Sequence, residues 1–202
     1  MVEALRKIEG GNRFDRRREQ TRMDLFEAAK RVIARKGFHS TRIADIAEEA
    51  DVGLGTFYLH FKTKNEIFGE LIEVGAQELR EQINEAKAVS NDPAERLRIT
   101  IATVLDDAAE SPELFRIVFG HSPAFLTPMR TVYEPFIGDI TADLTPAVGA
   151  QAVTLANLML GMLTQAISQL LDEEVSVDEL KQTITEFALG GLERAMRSGA
   201  AH

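Results

Sequence analysis

The chain has 202 residues, 45% of them hydrophobic and 27% charged, which fits one globular domain with an appendage or two smaller ones and excludes a mainly disordered or fibrous protein. Its 23 Lys and Arg stand against 32 Asp and Glu, a formal net charge of −9 that on whole-chain arithmetic makes nucleic acid a poor partner. With no cysteine there is no disulfide framework and no thiolate metal site, so a reducing compartment, the cytoplasm, is expected.

Residues 1–14, with Gly10-Gly11-Asn12 among them, read as a flexible basic arm. Arg6 and Lys7 have no apolar run behind them, so neither a signal peptide nor an N-terminal anchor is expected. From there, apolar spacing and terminus signals divide the chain into nine helices with no strand, an all-α protein. The first, near Arg16 to Lys36, ends at Lys36-Gly37, where glycine is free to turn left-handed. The second, near Arg42 to Ala50, and the third, near Leu54 to Phe61, are joined only by Asp51, Val52 and Gly53. Helices that short cannot stand alone in water, so they must brace one another against the first, packing on residues such as Leu25, Val32, Ile46, Ala47 and Phe57. That is a helix-turn-helix, whose second member is placed to enter a major groove. Asp51 tolerates the left-handed backbone that the sharp turn needs.

The fourth helix, near Lys64 to Val89, opens with Thr63 and Glu66 as a capping box; Asp92 with Glu95 and Ser176 with Glu179 repeat the device. Asp92-Pro93, Ser111-Pro112, Ser122-Pro123 and Thr145-Pro146 each set a capping residue before a proline, marking helices near Pro93 to Ala109, Pro112 to Phe119, Pro123 to Ile140 and Ala147 to Leu171. Pro128 and Pro135 should kink or break the seventh. From Leu144 to Leu171 no residue is charged, enough length to span a bilayer. Its polar stripe (Gln151, Thr154, Thr164, Gln165, Ser168) and acidic flanks instead predict a buried helix of a protein core. A ninth helix near Val177 to Arg197 closes the series.

The order Ser40-Thr41-Arg42-Ile43-Ala44-Asp45-Ile46-Ala47, then Val52-Gly53-Leu54-Gly55-Thr56-Phe57-Tyr58-Leu59-His60-Phe61-Lys62-Thr63-Lys64, resembles the DNA-binding domain of the TetR family of transcriptional repressors over about Arg16 to Phe68. The resemblance implies a homodimer with an N-terminal reader and a larger helical domain that binds a small inducer and dimerises through its last two helices. By motif position, Arg42, Leu54, Gly55, Tyr58 and Leu59 would face bases, and Thr41, Thr56, Tyr58, His60 and Lys64 would hold phosphates. Arg16 and Arg17, in a cluster with Arg13, Arg18 and Arg22, would add backbone or minor-groove contacts. Leu54, Gly55 and Leu59 offer bases only apolar or backbone contacts, such as with thymine methyls, leaving Arg42 as the best candidate for a guanine. The domains so implied are the arm (1–14), the reader (15–64) and a ligand-binding and dimerisation domain (65–202).

In that last domain Phe115, Phe119, Phe125, Met129, Tyr133, Phe136, Met159 and Met162 concentrate aromatic and methionine content. They are core residues or the lining of a cavity for an apolar or amphipathic molecule, with Tyr133, Asn157, Gln165 and His121 as polar contacts. Leu155, Leu158, Gln165, Ala166 and Gln169 from one helix, with Ile184, Phe187, Gly191 and Ala195 from the next, form stripes suited to a four-helix dimer seam. A two-fold dimer would set two readers roughly 34 to 36 Å apart, one DNA turn.

No metal-ligand or cofactor motif is present, and Gly53 and Gly55 do not complete a dinucleotide fingerprint because Tyr58 stands where its last glycine is required. A non-specific architectural DNA binder and an all-helical enzyme are the alternatives; against the enzyme, no histidine or carboxylate cluster has acid–base or ligand spacing. The charge also divides unevenly. Residues 1–64 carry 14 Lys and Arg against 10 Asp and Glu, and residues 65–202 carry 9 against 22, so the acidity belongs to the second domain.

Overall fold

The first stop signal marks a sharp corner in the chain. In the computed structural model, Gly37 has φ 72 and ψ 160, a backbone open in practice to glycine alone, and it separates the long run of α1 (Arg13–Ser40) from a last short turn. The structure describes residues 13–112, 115 and 126–199, with the backbone alone for 126–131 and 198–199. Every regular element among them is helical: α1, α2 (Ile43–Glu49), α3 (Leu54–His60), α4 (Lys64–Lys87), α5 (Pro93–Glu110), α6 (Leu126–Val148), a 3₁₀ turn (Gly149–Gln151), α7 (Ala152–Leu171) and α8 (Val177–Gly199). The helix expected at Pro112 to Phe119 falls almost wholly outside the described residues, as does the arm up to residue 12.

Caps hold the helix starts as their sequences require. The Thr63 hydroxyl accepts from the Glu66 N–H at 3.1 Å, an Asp92 oxygen from the Ala94 N–H at 3.3 Å and the Ser176 hydroxyl from the Glu179 N–H at 3.3 Å. Two expectations in the sixth and seventh described helices are corrected. α6 runs unbroken past Pro135, and Pro146 lies inside it instead of opening the next helix. The break comes at Gly149, whose φ of 55 a side chain would resist. The stretch Val132–Leu171, long and apolar enough by composition to cross a membrane, is therefore two helices, and Met159, Leu163, Ile167 and Leu171 are packed into a protein core.

The chain separates into two compact units between Val74 and Gly75, within α4. The first unit extends ten residues past the expected boundary at Lys64 because Ile67, Phe68, Leu71 and Ile72 are buried along with the reader's own core. That core stacks Leu25, Ala29 and Val32 of α1 with Ile46 and Ala47 of α2, and with Phe57 and Phe61 in and after α3. Burying side chains of this size stabilises by about 1.5–3 kcal/mol each, which is what two seven-residue helices need to persist.

In the second unit α7 packs chiefly on α6, and α8 on α5, around Leu97, Ile101, Leu105, Leu144, Ala156 and Leu163. Charged groups fasten the C-terminal half of α4 to its neighbours. Arg80 forms a two-pronged pair with Asp139 of α6 at 2.8 and 3.0 Å. Lys87, 1% exposed, donates to Asp143 at 2.7 Å, and Arg96 of α5 takes the other Asp143 oxygen at 2.6 Å while also donating to the carbonyls of Lys87 and Ser90.

Candidate nucleic-acid interface

The corner between α1 and α2 is built from groups turned inward. Thr41 is 2% exposed; its hydroxyl donates to the Gly37 carbonyl at 2.8 Å and its N–H to that of Phe38 at 3.2 Å. Lys64 reaches back from the first residue of α4 to donate to the Phe38 and Thr41 carbonyls at 2.8 and 2.9 Å, with its ammonium 4.2 Å from the centre of the Phe38 ring. The last carbonyls of a helix have no partner within it, so this ammonium caps α1, and burial pulls its pKa below the ordinary lysine value. The Thr41 hydroxyl and two of the three Lys64 N–H groups are thus engaged inside the fold.

Arg42 follows this corner, at the N-cap of α2. Its backbone N–H donates to Asp45 at 2.8 Å, and its side chain is exposed. The Asp45 carboxyl is held below its usual range, first by that N–H and then by Lys36, 3.1 Å away. Glu49 joins Arg35 at 2.5 Å and Arg31 at 2.9 Å, which lowers its carboxyl to about 2. These pairs fix α2 against α1. Asp51 then turns with φ 53, its N–H bonded to Glu48 and that of Val52 to Ala47, each at 3.0 Å, so the turn is the one the residue types predict.

α3 buries Phe57 completely and leaves Leu54, Tyr58 and Leu59 outside, 48%, 53% and 72% exposed. A Cβ added at Gly55 would meet nothing within 4 Å, so the fold does not need glycine there. Thr56 and His60 are half-buried. Burial lowers the His60 pKa, and Arg18 and Arg22 push it further down. Arg16, Arg17 and Arg18 are exposed along the start of α1, but Arg22 is engaged: it pairs with Glu70 at 2.5 and 2.9 Å and lies 4.6 Å from the centre of the Phe61 ring. Arg42 at the start of α2 and Leu54, Tyr58 and Leu59 of α3 are thus all exposed in the reader. Nothing in the spacing signals the Lys64 cap or the Arg22–Glu70 pair, which join residues 23 to 48 positions apart.

The second-unit candidates separate into two groups. Phe115 and Met159 are buried in the core, and Phe136 and Met162 pack against it. Tyr133 is half-buried, and burial pushes its phenol up to about 12. Phe119, Phe125 and His121 lie outside the described residues, as does the Met129 side chain. Asn157 and Gln165 are exposed, so they lie apart from the interior to which polar contacts were assigned. Of the seam residues, Leu158 (61%), Phe187 (72%), Gln165 and Gly191 are exposed; Leu155, Gln169 and Ala195 are partly so. Ala166 and Ile184 are buried within the unit, because each helix must also turn one face to its own core.

The reader matches a known family model, bacterial regulatory proteins of the tetR family, over residues 25–71. The transcriptional activator FasR of Mycolicibacterium smegmatis is 22% identical over 194 residues, covering 91% of this chain and 89% of that one. The transcriptional regulator AcrR of Shigella flexneri is 30% identical over 120 residues, 57% of this chain and 55% of that one. Among solved structures, the regulator FadR of Bacillus subtilis in complex with stearoyl-CoA shares the fold with TM-score 0.72 at 20% identity, covering 84% of this chain and 98% of that one. These relatives are regulators of transcription and not enzymes. With an accessible reading helix held in a helix-turn-helix, the reader is a DNA-binding domain of the tetR-family type, and the chain is similar along nearly its whole length to a regulator of transcription.

Proposed function

We propose that the protein is a ligand-responsive repressor that binds a palindromic operator as a homodimer and is released when a small apolar or amphipathic molecule enters the second unit. The observation that carries this reading is the reader's outer surface. Three large apolar side chains of α3 and the Arg42 side chain lie open within residues 1–64, a segment with excess basic charge, an arrangement suited to a groove lined with phosphates.

The ligand class follows from the aromatic and methionine content around Phe115, Tyr133, Phe136, Met159 and Met162, which suits an acyl chain. The stearoyl-CoA in the similar Bacillus subtilis structure favours a fatty-acyl thioester. α4 carries residues of both units, so a ligand that prefers one placement of α4 would shift the readers' population by its differential affinity. Activation in place of repression is a second reading, favoured by the name of the Mycolicibacterium relative. A DNA partner supports a cytoplasmic location.

Selection of bound sites from random duplex DNA should return a palindrome, and stearoyl-CoA should then weaken binding to it. Arg42→Ala should cost about 1–3 kcal/mol and relax specificity at one position per half-site. Equal affinity for all sequences, before and after the substitution, would overturn specific reading in favour of architectural binding.

A further inference from the structure

The reading surface of α3 is poor in hydrogen-bonding groups. At about 100° per residue, Leu54, Tyr58, Gly55 and Leu59 fall on one arc of about 140°, with the buried Phe57 outside it. The fold gains little from those exposed side chains, and a seven-residue helix has few positions to spare for them. The residues from Thr41 to Lys62 include no Asn or Gln, and Gln20 of α1 is bonded to Asp24. The paired donor and acceptor that read adenine are therefore missing from the reading surface. What remains at α3 is aliphatic surface plus one phenol, beside a glycine whose open surroundings let a backbone come close.

We infer that α3 reads its half-site through thymine 5-methyl groups packed on Leu54 and Leu59, with guanine recognition left to Arg42. The inference rests on the DNA-binding reading above and specifies its base chemistry. The occupant is duplex DNA because exposed Arg16, Arg17 and Arg18 of α1 give the same unit charge complementary to phosphates. The methyl is the one major-groove feature of an A·T pair that an aliphatic side chain can recognise, and burying one group of that size is worth about a fourfold change in affinity.

The test uses the full chain and the operator obtained by selection, resynthesised with deoxyuridine in place of each thymine in turn. Deoxyuridine keeps every hydrogen bond and removes only the methyl. Two or three positions per half-site should lose affinity about three- to fivefold. In Leu54→Ala and Leu59→Ala, whose exposed positions leave the fold intact by thermal melting, the thymine-to-deoxyuridine ratio should fall to about one at the position each side chain covers. Equal binding of thymine and deoxyuridine everywhere, or a ratio unmoved in both variants, overturns the inference while leaving the DNA reading in place. Failure to retain any sequence overturns both.

Discussion

A phosphate beside His60 would change its charge. Burial and the neighbouring Arg18 and Arg22 guanidiniums hold its pKa below 6.5, against a smaller opposing pull from Glu19, and Arg22 is itself paired with Glu70 of α4. These causes favour the neutral ring in the free protein. A phosphate beside it would favour the charged form, so the pKa would be higher in the complex and binding would take up a proton. Operator affinity should therefore rise as pH falls from about 7.5 towards the free-state pKa and level off below it. The gain is bounded at about tenfold for each unit by which DNA raises the pKa. Fluorescence anisotropy across that range should show the slope, and His60→Gln should flatten it. A slope that survives the substitution would assign the proton elsewhere. Thr41 and Lys64 show the limit of reading such roles by motif position: position along the chain says that a hydroxyl or ammonium is at the reader, but not that the Thr41 hydroxyl and two of the three Lys64 N–H groups are already bonded to Gly37, Phe38 and Thr41 carbonyls.

Between helices, the same issue decides stability. Asp143 of α6 accepts from both Lys87 of α4 and Arg96 of α5, so one carboxylate balances two cations in a largely buried cluster. Removing the carboxylate leaves both cations uncompensated, and Asp143→Asn should cost about 3–5 kcal/mol. Lys87→Met removes the buried ammonium, fills its space with an apolar side chain and keeps the Arg96–Asp143 pair, so its cost should be much smaller or even negative. Urea unfolding of the two variants checks the order; equal losses would mean that packing, not charge balance, sets the energy there. None of this cluster was legible in the sequence, because Lys87 and Asp143 are 56 positions apart and hydrophobic periodicity says nothing of which charges meet. The helices themselves were largely legible, since their ends depend on neighbours within a few residues: Thr63, Asp92 and Ser176 at starts, Gly37 at a stop and Asp51 in the turn. The exception is instructive. Thr145-Pro146 has the local form of a helix start, yet a proline is also accommodated in the last turn of α6, and tertiary packing on α7 chose the later break at Gly149.

At the scale of the whole molecule, the acidic second unit presents a surface that its own core does not explain. Val153 and Leu158 of α7 and Phe187 of α8 are 55%, 61% and 72% exposed, and added Cβ atoms at Gly161, Gly190 and Gly191 would meet nothing within 4 Å. Large apolar side chains beside open glycines form a surface that a second copy of the chain can approach closely, and such patches on soluble proteins mark interaction sites. Sequence periodicity placed Ile184 and Ala166 in that seam, but an amphipathic helix has two apolar edges, and burial assigns these two to the core. The distinction can be measured. Phe187→Glu puts a charge on the exposed edge, so the variant should keep its thermal melt at low concentration and sediment as a monomer. Its operator affinity should fall about a hundredfold or more, because the second half-site no longer adds to the first. Ile184→Glu buries a carboxylate without a partner and should unfold the unit instead. If Phe187→Glu remained a dimer with full operator affinity, the seam would have to be sought on another face.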